Sequence, residues 1–199
     1  MIAIIDYGAG NLRSIDNALR FLNIGHVLSE DPSGLDNASA ILLPGVGNFD
    51  DAAKALEKFK QPVIEKIDEG VPFLGICLGI QMLMEKSEES AGAAGWGIVK
   101  GECLKFKNVK VPHMGWNSIK CKSQKSRCKI LDGLSGEFFY FVHSYYVAPE
   151  DAGVVAATCE YGVEFPSAIA KDNVFAVQFH PEKSGAAGLR LLKNFALLQ

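Results

Sequence analysis

The stretch "VPFLGICLGIQ", residues 71–81, places one cysteine between two glycines where an apolar strand pattern gives way to a helical one. A strand, then G-x-C-x-G, then a helix matches the nucleophile elbow known for serine, with cysteine in its place. The tight turn lifts Cys77 out of the sheet, and side chains at Gly75 or Gly79 would collide with neighbouring backbone. The pattern therefore predicts a strand-to-helix fold with Cys77 as a nucleophile. The alternative is a buried structural cysteine beside a glycine-rich packing contact.

The helix that begins after Cys77 adds an electrostatic argument for the nucleophile. Its free N–H groups and the positive end of its dipole would point at the thiol, which favours the thiolate. The N–H of Leu78 would also face an oxyanion formed at this cysteine. A cysteine nucleophile normally needs a base as well, so the histidines decide between the two interpretations.

The sequence around the elbow alternates short apolar strands with segments of helical period. "IAIID" precedes "NLRSIDNALRFLNI", "SAILL" precedes the helical segments "FDDAAKALEKF" and "PVIEKIDEG", and the elbow strand precedes a helix over "LGIQMLMEKS". This order predicts parallel strands joined by crossover helices, an α/β fold with a mostly parallel sheet. "NVFAVQF" predicts one more buried strand, and "SGAAGLRLLKNFALL" a terminal helix.

Between Gly95 and about Tyr161 the pattern changes to short alternating strands with polar turns, such as "WGIVKGECLKF", "EFFYFVHSYYV" and "GVVAATCEY". This change predicts an antiparallel portion added to the mostly parallel sheet. The chain has no internal repeat and no low-complexity linker, so we predict a single domain over residues 1–199.

Composition excludes several classes of function. A formal net charge of -3 gives no electrostatic reason to expect a nucleic acid or an anionic membrane as partner. The N-terminus has no basic leader, and no stretch approaches the ~18 apolar residues of a spanning helix, so we expect a cytoplasmic protein. Five cysteines, an odd number without a CxxC pair, suggest neither a disulfide framework nor a structural zinc site.

Four of the five cysteines have simpler interpretations than Cys77. Cys103 in "GECLKF" and Cys159 in "VVAATCEY" lie in strand-like alternation and are predicted to be core thiols. Cys121 and Cys128 flank the polar stretch "KSQKSR", which predicts a solvated loop.

Of the four histidines, His180 is the candidate base. It ends the apolar strand "VFAVQF", where strand ends in an open α/β sheet border the ligand crevice. Glu182 lies two residues on and can fix the imidazole tautomer and stabilise the imidazolium, as the third member of a triad. His26 is predicted to lie on the surface, and His113 and His143 to be structural histidines. The alternative for "HPE" is a turn with a charged surface.

A third motif, "LLPGVGNF", is a strand followed by a glycine turn. Backbone N–H groups around Val46 and Gly47 could hold an oxyanion beside the elbow. Without the other two motifs, a plain strand-to-helix connection would be the better interpretation of this turn.

Together, "PGVGNF", "GICLGIQ" and "FHPE" resemble the three signature stretches of the class I (triad) glutamine amidotransferases. "IAIIDYGAGNLRS", "VPHMGWN", "YFVHSYY" and "QFHPEKSG" narrow the resemblance to the glutaminase subunits of imidazole glycerol phosphate synthase. The resemblance covers the whole chain and implies a flavodoxin-like fold with helices on both faces of the sheet. It implies no metal and no cofactor.

The chemistry that the resemblance implies begins with attack of Cys77 on the side-chain carboxamide of glutamine. His180 would act as acid and base, and Glu182 would orient it. A glutamyl thioester forms as ammonia leaves, and water activated by His180 releases glutamate.

The resemblance also assigns the residues around this reaction. The oxyanion would be held by the N–H groups of Leu78 and of the Val46 to Gly47 turn. The residues implied to bind glutamine are Gly45, Gly47, Gln81, and the backbone of Ser144 and Tyr145. Ser144 stands where threonine is common in the family, which leaves the triad unaffected.

The family pairs this subunit with a (β/α)8-barrel cyclase that makes imidazole glycerol phosphate and AICAR in histidine biosynthesis. The cyclase receives the ammonia through the protein interior, and the glutaminase is weak until the cyclase binds its nucleotide substrate. The resemblance therefore implies a heterodimer, with Asn11, Met114, Trp116 and Lys183 at or near the interface. On sequence grounds alone Trp116 could equally be a core residue and Lys183 a solvated one.

Several rival functions stay open on the sequence. A paralogous glutaminase that feeds a cell-surface sugar amidotransferase would retain every motif quoted. A cysteine peptidase or stand-alone γ-glutamyl hydrolase would act without a partner, and a catalytically silent flavodoxin-like module would have no reactive cysteine. A pyridoxal-phosphate synthase glutaminase usually carries a "PGGES" turn where this chain has "PGVGN". A dinucleotide fingerprint in "DYGAGN" is rejected, since Arg13 stands where the third glycine belongs.

Overall fold

The computed structural model describes residues 1–122 and 128–199. The α-helices in these ranges are α1 Leu12–Phe21, α2 Phe49–Asp68, α3 Leu78–Met82 and α4 Gly185–Ala196. The strands are β1 Ile2–Ile5, β2 His26–Ser29, β3 Ala40–Leu43, β4 Phe73–Ile76, β5 Lys86–Ser87, β6 Ser90–Ala94, β7 Gly101–Lys105, β8 His113–Ser118, β9 Lys120–Cys121, β10 Phe138–His143, β11 Tyr145–Pro149, β12 Val155–Glu160, β13 Glu164–Lys171 and β14 Val174–Val177. None of the described helices combines the length and the apolar character needed to cross a membrane.

The main sheet has eight strands in the order β2-β1-β3-β4-β14-β13-β12-β9. The first five run parallel to one another. The last three are added by antiparallel pairing. The predicted parallel sheet with an antiparallel portion is therefore confirmed.

Helices cover both faces of this sheet, as predicted. Ile2 and Ile4 of β1 pack in a core with residues of α1 and α4, while Ala3 and Ile5 pack in a second core with residues of α2 and α3. All four residues of β1 are buried, because successive side chains alternate between two covered faces. An apolar run without polar alternation is the expected composition of such a strand.

Two smaller sheets, β10-β8 and β11-β7-β5-β6, lie outside the main sheet. The segment "EFFYFVHSYYV", for which short alternating strands were predicted, forms β10 and β11, and these two strands belong to different sheets. The chain changes sheets at Ser144. This break places Ser144 and Tyr145 next to the elbow described below.

Two helix predictions also need correction. The helix over "LGIQMLMEKS" ends at Met82, because the carbonyls of Met82, Leu83 and Met84 accept hydrogen bonds from N–H groups of the segment 96–99 instead of from a further helical turn. The chain then forms β5 and β6. Conversely, the two segments predicted on either side of Pro62 are one continuous helix, α2.

Cys103 and Cys159 are buried, as predicted for core thiols. Cys128, at one end of the predicted polar loop, is buried too, and residues 123–127 of that loop lie outside the described ranges. His26, predicted to lie on the surface, is of intermediate burial on the edge strand β2. Its side chain is only 9% exposed, and its Nε2 lies 2.8 Å from Oδ1 of Asp16.

Candidate active site

Cys77 lies at a sharp turn between β4 and α3. Its φ of 55° and ψ of -104° form a strained conformation for a residue with a side chain. Close packing of the turn explains the glycines: a Cβ on Gly79 would lie 2.4 Å from the carbonyl oxygen of Leu43, and one on Gly75 would lie 2.8 Å from the carbonyl of Gly79. The elbow geometry therefore depends on both glycines.

Sheet topology brings three distant motifs together. β3, β4 and β14 are adjacent parallel strands, so their carboxyl ends meet at one edge of the sheet. The glycine turn at residues 44–47 follows β3, Cys77 follows β4, and His180 comes three residues after β14. The main sheet thus assembles the site from strand ends.

A pocket of about 250 Å³ lies at this edge. The residues predicted for the site that line it are Val46, Gly47, Cys77, Leu78, Gln81, Ser144, Tyr145 and His180. Gly45 is outside this lining and packs against the elbow, where a Cβ on it would lie 2.6 Å from Cβ of Leu78. Its position holds the glycine turn directly against α3.

His180 and Glu182 form a buried pair. Nδ1 of His180 lies 2.8 Å from Oε1 of Glu182, and both side chains are 1% exposed. Burial alone lowers the pKa of His180, but the neighbouring Cys77 and Glu182 outweigh burial and raise it to about 10. Cys77 and Glu182 therefore shift His180 towards its protonated imidazolium form.

Asn11 lies behind the triad carboxylate, at the start of α1. Its Nδ2 lies 3.5 Å from Oε1 of Glu182, and its Oδ1 accepts a hydrogen bond of 2.9 Å from Oγ of Ser14. Asn11 was predicted at or near a partner interface. The structure places it as a link between α1 and the carboxylate of Glu182.

Glu89 is a pocket residue that the sequence analysis missed. Its side chain lines the cavity, and its Oε2 accepts a hydrogen bond of 2.8 Å from the N–H of Phe49 at the start of α2. Glu89 was missed because the helix predicted over "LGIQMLMEKS" ends at Ser87 and the turn between β5 and β6 that follows was not predicted. The pocket thus has a carboxylate apart from the triad.

The other predicted interface residues form a surface beside the pocket. Met114 and Trp116 project from one face of β8 and are 63% and 57% exposed, so Trp116 is not a core residue. Tyr140 lies opposite Trp116 on β10, and Nζ of Lys183 lies 5.8 Å from the centre of the Tyr140 ring. Phe138 on the same face is also exposed. We call Met114, Trp116, Phe138 and Tyr140 the aromatic face.

Solved structures share this fold. A crystal structure of glutamine amidotransferase superposes with a TM-score of 0.78 at 19% identity, covering 100% of this chain and 98% of that chain. The structure of PurLQS from Thermotoga maritima superposes with a TM-score of 0.76 at 20% identity, covering 98% of this chain and 96% of that one. These likenesses confirm the predicted fold.

Sequence comparison gives the family. The glutamine amidotransferase class-I family matches residues 3–198. The imidazole glycerol phosphate synthase subunit HisH of Methanocaldococcus jannaschii is 50% identical over 200 residues, covering all of both chains. The protein of the same name from Pyrococcus furiosus is 49% identical, covering 99% of this chain and 98% of that protein. The chain therefore belongs to the class-I glutamine amidotransferases and, within them, to the family of HisH subunits of imidazole glycerol phosphate synthase.

Proposed function

We propose that this chain hydrolyses glutamine at Cys77 and passes the ammonia to a cyclase subunit with which it assembles. Membership of the class-I glutamine amidotransferases makes the chain a glutaminase. The observation that carries the assignment to Cys77 is its position with the buried His180–Glu182 pair around one small pocket. At about 250 Å³ the pocket is below the ~300–1,000 Å³ of sites for drug-sized ligands. A free amino acid suits it better than a peptide.

The proposed reaction begins as the proton of the Cys77 thiol passes to His180. The Cys77 sulfur bonds to the carbonyl carbon of the glutamine side chain, and the carbonyl oxygen becomes an oxyanion. His180 gives its proton to the amide nitrogen, the C–N bond breaks, and ammonia leaves a glutamyl thioester. Neutral His180 then takes a proton from water as the water oxygen adds to the thioester carbon. The C–S bond breaks, the freed sulfur takes the proton back from His180, and the new carboxyl group loses its proton to solvent, which gives glutamate.

Backbone groups are proposed to hold the oxyanion. The N–H of Leu78 begins α3 directly after the nucleophile, where an elbow normally supplies one donor. The turn with Val46 and Gly47 lines the same cavity and supplies the second. Gly47 has a φ of 105°, so a modest rotation of the peptide before it can redirect an N–H group.

The two charged groups on the α-carbon of glutamine have complementary groups in the pocket. The carbonyl of Ser144 already accepts from the N–H of Phe106, and that of Tyr145 accepts from Nδ1 of His143 and, at 3.3 Å, from Nε2 of Gln81. Because these carbonyls already accept hydrogen bonds, the strip at Ser144 and Tyr145 has its backbone N–H groups left as donors. N–H donors suit the α-carboxylate of glutamine. Glu89 supplies the negative charge for the α-ammonium group.

Replacing Glu89 with glutamine should raise the KM for glutamine about 10- to 100-fold, the range of one hydrogen bond to a charged group. The lost interaction concerns a part of the substrate that does not react, so kcat should change much less. Steady-state glutamate release over a range of glutamine concentrations measures both constants.

Glu88→Gln is the matched control, because Glu88 binds the backbone N–H of Lys105 and the Lys107 side chain outside the pocket. It should keep the KM of the wild-type chain. An unchanged KM in Glu89→Gln, or an equal rise in both variants, would contradict the role of Glu89.

The partner is proposed to be a cyclase subunit that covers the aromatic face. The similar proteins from Methanocaldococcus jannaschii and Pyrococcus furiosus are named subunits of imidazole glycerol phosphate synthase, which supports assembly with another subunit. Exposed Trp, Tyr, Phe and Met side chains are the typical centre of a protein interface. Ammonia released into water would be protonated and could no longer act as a nucleophile. A cyclase subunit docked next to the pocket would receive the ammonia before it is protonated.

Trp116→Ala should weaken assembly with the cyclase subunit about 30-fold or more, as expected for a central aromatic contact worth about 2 kcal/mol. Isothermal titration calorimetry with the purified cyclase subunit measures the dissociation constant. Leu197→Ala is the control, since Leu197 is 74% exposed just after α4 and lies outside the aromatic face. Equal affinities for wild type and Trp116→Ala would place the interface elsewhere.

The rival functions differ in partner and substrate. The relatives reported above are imidazole glycerol phosphate synthase subunits, so neither a sugar amidotransferase partner nor a stand-alone γ-glutamyl hydrolase is favoured. Stimulation by the histidine-pathway cyclase distinguishes the first rival, and turnover of γ-glutamyl conjugates the second. A cytoplasmic location stays a prediction from the sequence.

A further inference from the structure

Two buried histidines of the β10-β8 sheet lie between this sheet and the pocket. His113 of β8 and His143 of β10 are cross-strand partners, and they are 4% and 5% exposed. Nδ1 of His113 lies 3.0 Å from Nε2 of His143, and Nδ1 of His143 lies 2.8 Å from the carbonyl oxygen of Tyr145. Neither ring takes part in the glutaminase chemistry described above.

The groups at the two ends fix the direction of every hydrogen bond in the series that runs through these two histidines. A carbonyl only accepts, so Nδ1 of His143 carries the proton and its Nε2 accepts. His113 must then donate from Nδ1, which leaves its Nε2 to accept from Nδ2 of Asn117 at 3.3 Å. Asn117 is held in turn by a 2.9 Å hydrogen bond to the carbonyl of Glu160. We call Asn117, His113, His143 and the Tyr145 carbonyl the histidine relay.

This direction requires two neutral rings, and the surroundings keep them neutral. Burial lowers the pKa of His113 to about 4. Burial also lowers the pKa of His143 to about 3, and the nearby His180 adds to the effect. Stacking fixes the ring of His113, whose centre lies 4.9 Å from that of Phe141 and 4.1 Å from that of Tyr161. The histidine relay is therefore a rigid series of uncharged hydrogen-bond donors that ends at the Tyr145 carbonyl, next to the pocket.

We propose that His113 and His143 are positioning residues for glutamine, because they hold the Tyr145 carbonyl and so fix the strip of Ser144 and Tyr145. The inference rests on the proposed function and adds to it. Tyr145 begins β11, where it pairs with Lys105 of β7, and only Ser144 separates it from the end of β10. The histidine relay adds a constraint on the Tyr145 carbonyl from the β10-β8 sheet, and Gln81 constrains the same carbonyl from α3.

Two reagents separate positioning from general structure. The glutamine analogue 6-diazo-5-oxo-L-norleucine carries the α-ammonium and α-carboxylate groups, so its reaction with Cys77 depends on the strip. Iodoacetamide lacks both groups and needs only a reactive thiol. Peptide mapping by mass spectrometry measures the labelling rate of Cys77 with each reagent.

His113→Phe keeps the ring shape and the stacking but removes the hydrogen bonds, and His143→Phe does the same for the second ring. His143→Asn keeps an N–H donor near the position of Nδ1. His26→Phe is the matched control, because His26 contacts Asp16 and Ile24 away from the pocket.

Both relay phenylalanine variants should react with the glutamine analogue about fivefold more slowly, the factor expected for one net hydrogen bond. His143→Asn should retain most of the rate, and the control should match wild type. Iodoacetamide should label Cys77 at the wild-type rate in every variant.

Equal slowing with both reagents, or no slowing with either, would overturn the positioning role. If a phenylalanine variant does not fold, His143→Asn decides, and complete loss of analogue labelling in that folded variant would overturn the role of the donor. If Cys77 of the wild-type chain does not react with the glutamine analogue even in complex with the cyclase subunit and its nucleotide substrate, the proposed function is overturned, and the inference with it.

Discussion

Replacing Cys77 with alanine should reduce glutamate release from glutamine to the rate in buffer. The variant has no atom that can form the thioester, and His180 is left without its neighbouring thiol. Removal of the nucleophile from a serine protease triad costs on the order of 10⁶ in kcat, and we expect a loss of similar size here. An enzyme-coupled assay of glutamate at saturating glutamine measures the effect.

Cys159→Ala is the control for loss of a thiol. Cys159 is buried in β12 of the main sheet, so its truncation should lower the free energy of unfolding by about 1 kcal/mol. Turnover per folded molecule should be that of the wild-type chain. Measurable stimulated turnover in Cys77→Ala would assign the chemistry to another residue.

Replacing Gly47 with valine should lower the stimulated turnover about 10²- to 10³-fold, the loss caused by one missing oxyanion donor. A φ of 105° is strongly disfavoured for a β-branched residue, so the turn must adopt another backbone conformation. A Cβ at this position meets no atom within 4 Å. The effect must therefore come from the backbone and not from a collision.

This variant also tests a gating hypothesis. We expect the turn with Val46 and Gly47 to rest with an N–H group misdirected, and a peptide flip on partner and nucleotide binding to complete the oxyanion hole. Gly92→Val is the control, because a Cβ on Gly92 also meets open space and its φ is in an ordinary region. A wild-type response to partner and nucleotide in Gly47→Val would contradict the gate.

The parts of the fold that were predictable have local sequence signals. The apolar strands before the elbow and before His180 are buried on both faces and have few polar residues. Parallel strands of this kind place their carboxyl ends at one edge of the sheet, so Cys77 and His180 could be expected at the same edge. That β14 lies directly beside β4 is given by the sheet topology. The contact of Glu182 with His180 could be predicted from the spacing of the two residues in the sequence.

The rest depends on contacts between segments that are distant in the chain. The length of α3 is set by hydrogen bonds to residues 96–99. Helix propensities describe the local sequence only, so they do not predict these contacts. The place of Glu89 in the pocket follows from the turn between β5 and β6, and the contact of His113 with His143 from the register of β8 against β10. Short antiparallel strands leave that register undetermined in a single sequence.

The most direct test of the account measures glutamate release from glutamine by the chain alone, then with the cyclase subunit, then with the cyclase subunit and its nucleotide substrate. Cys77→Ala serves as the blank in each condition. The account predicts strong stimulation in the third condition only. Turnover that is equal in all three conditions would contradict a glutaminase controlled by its partner.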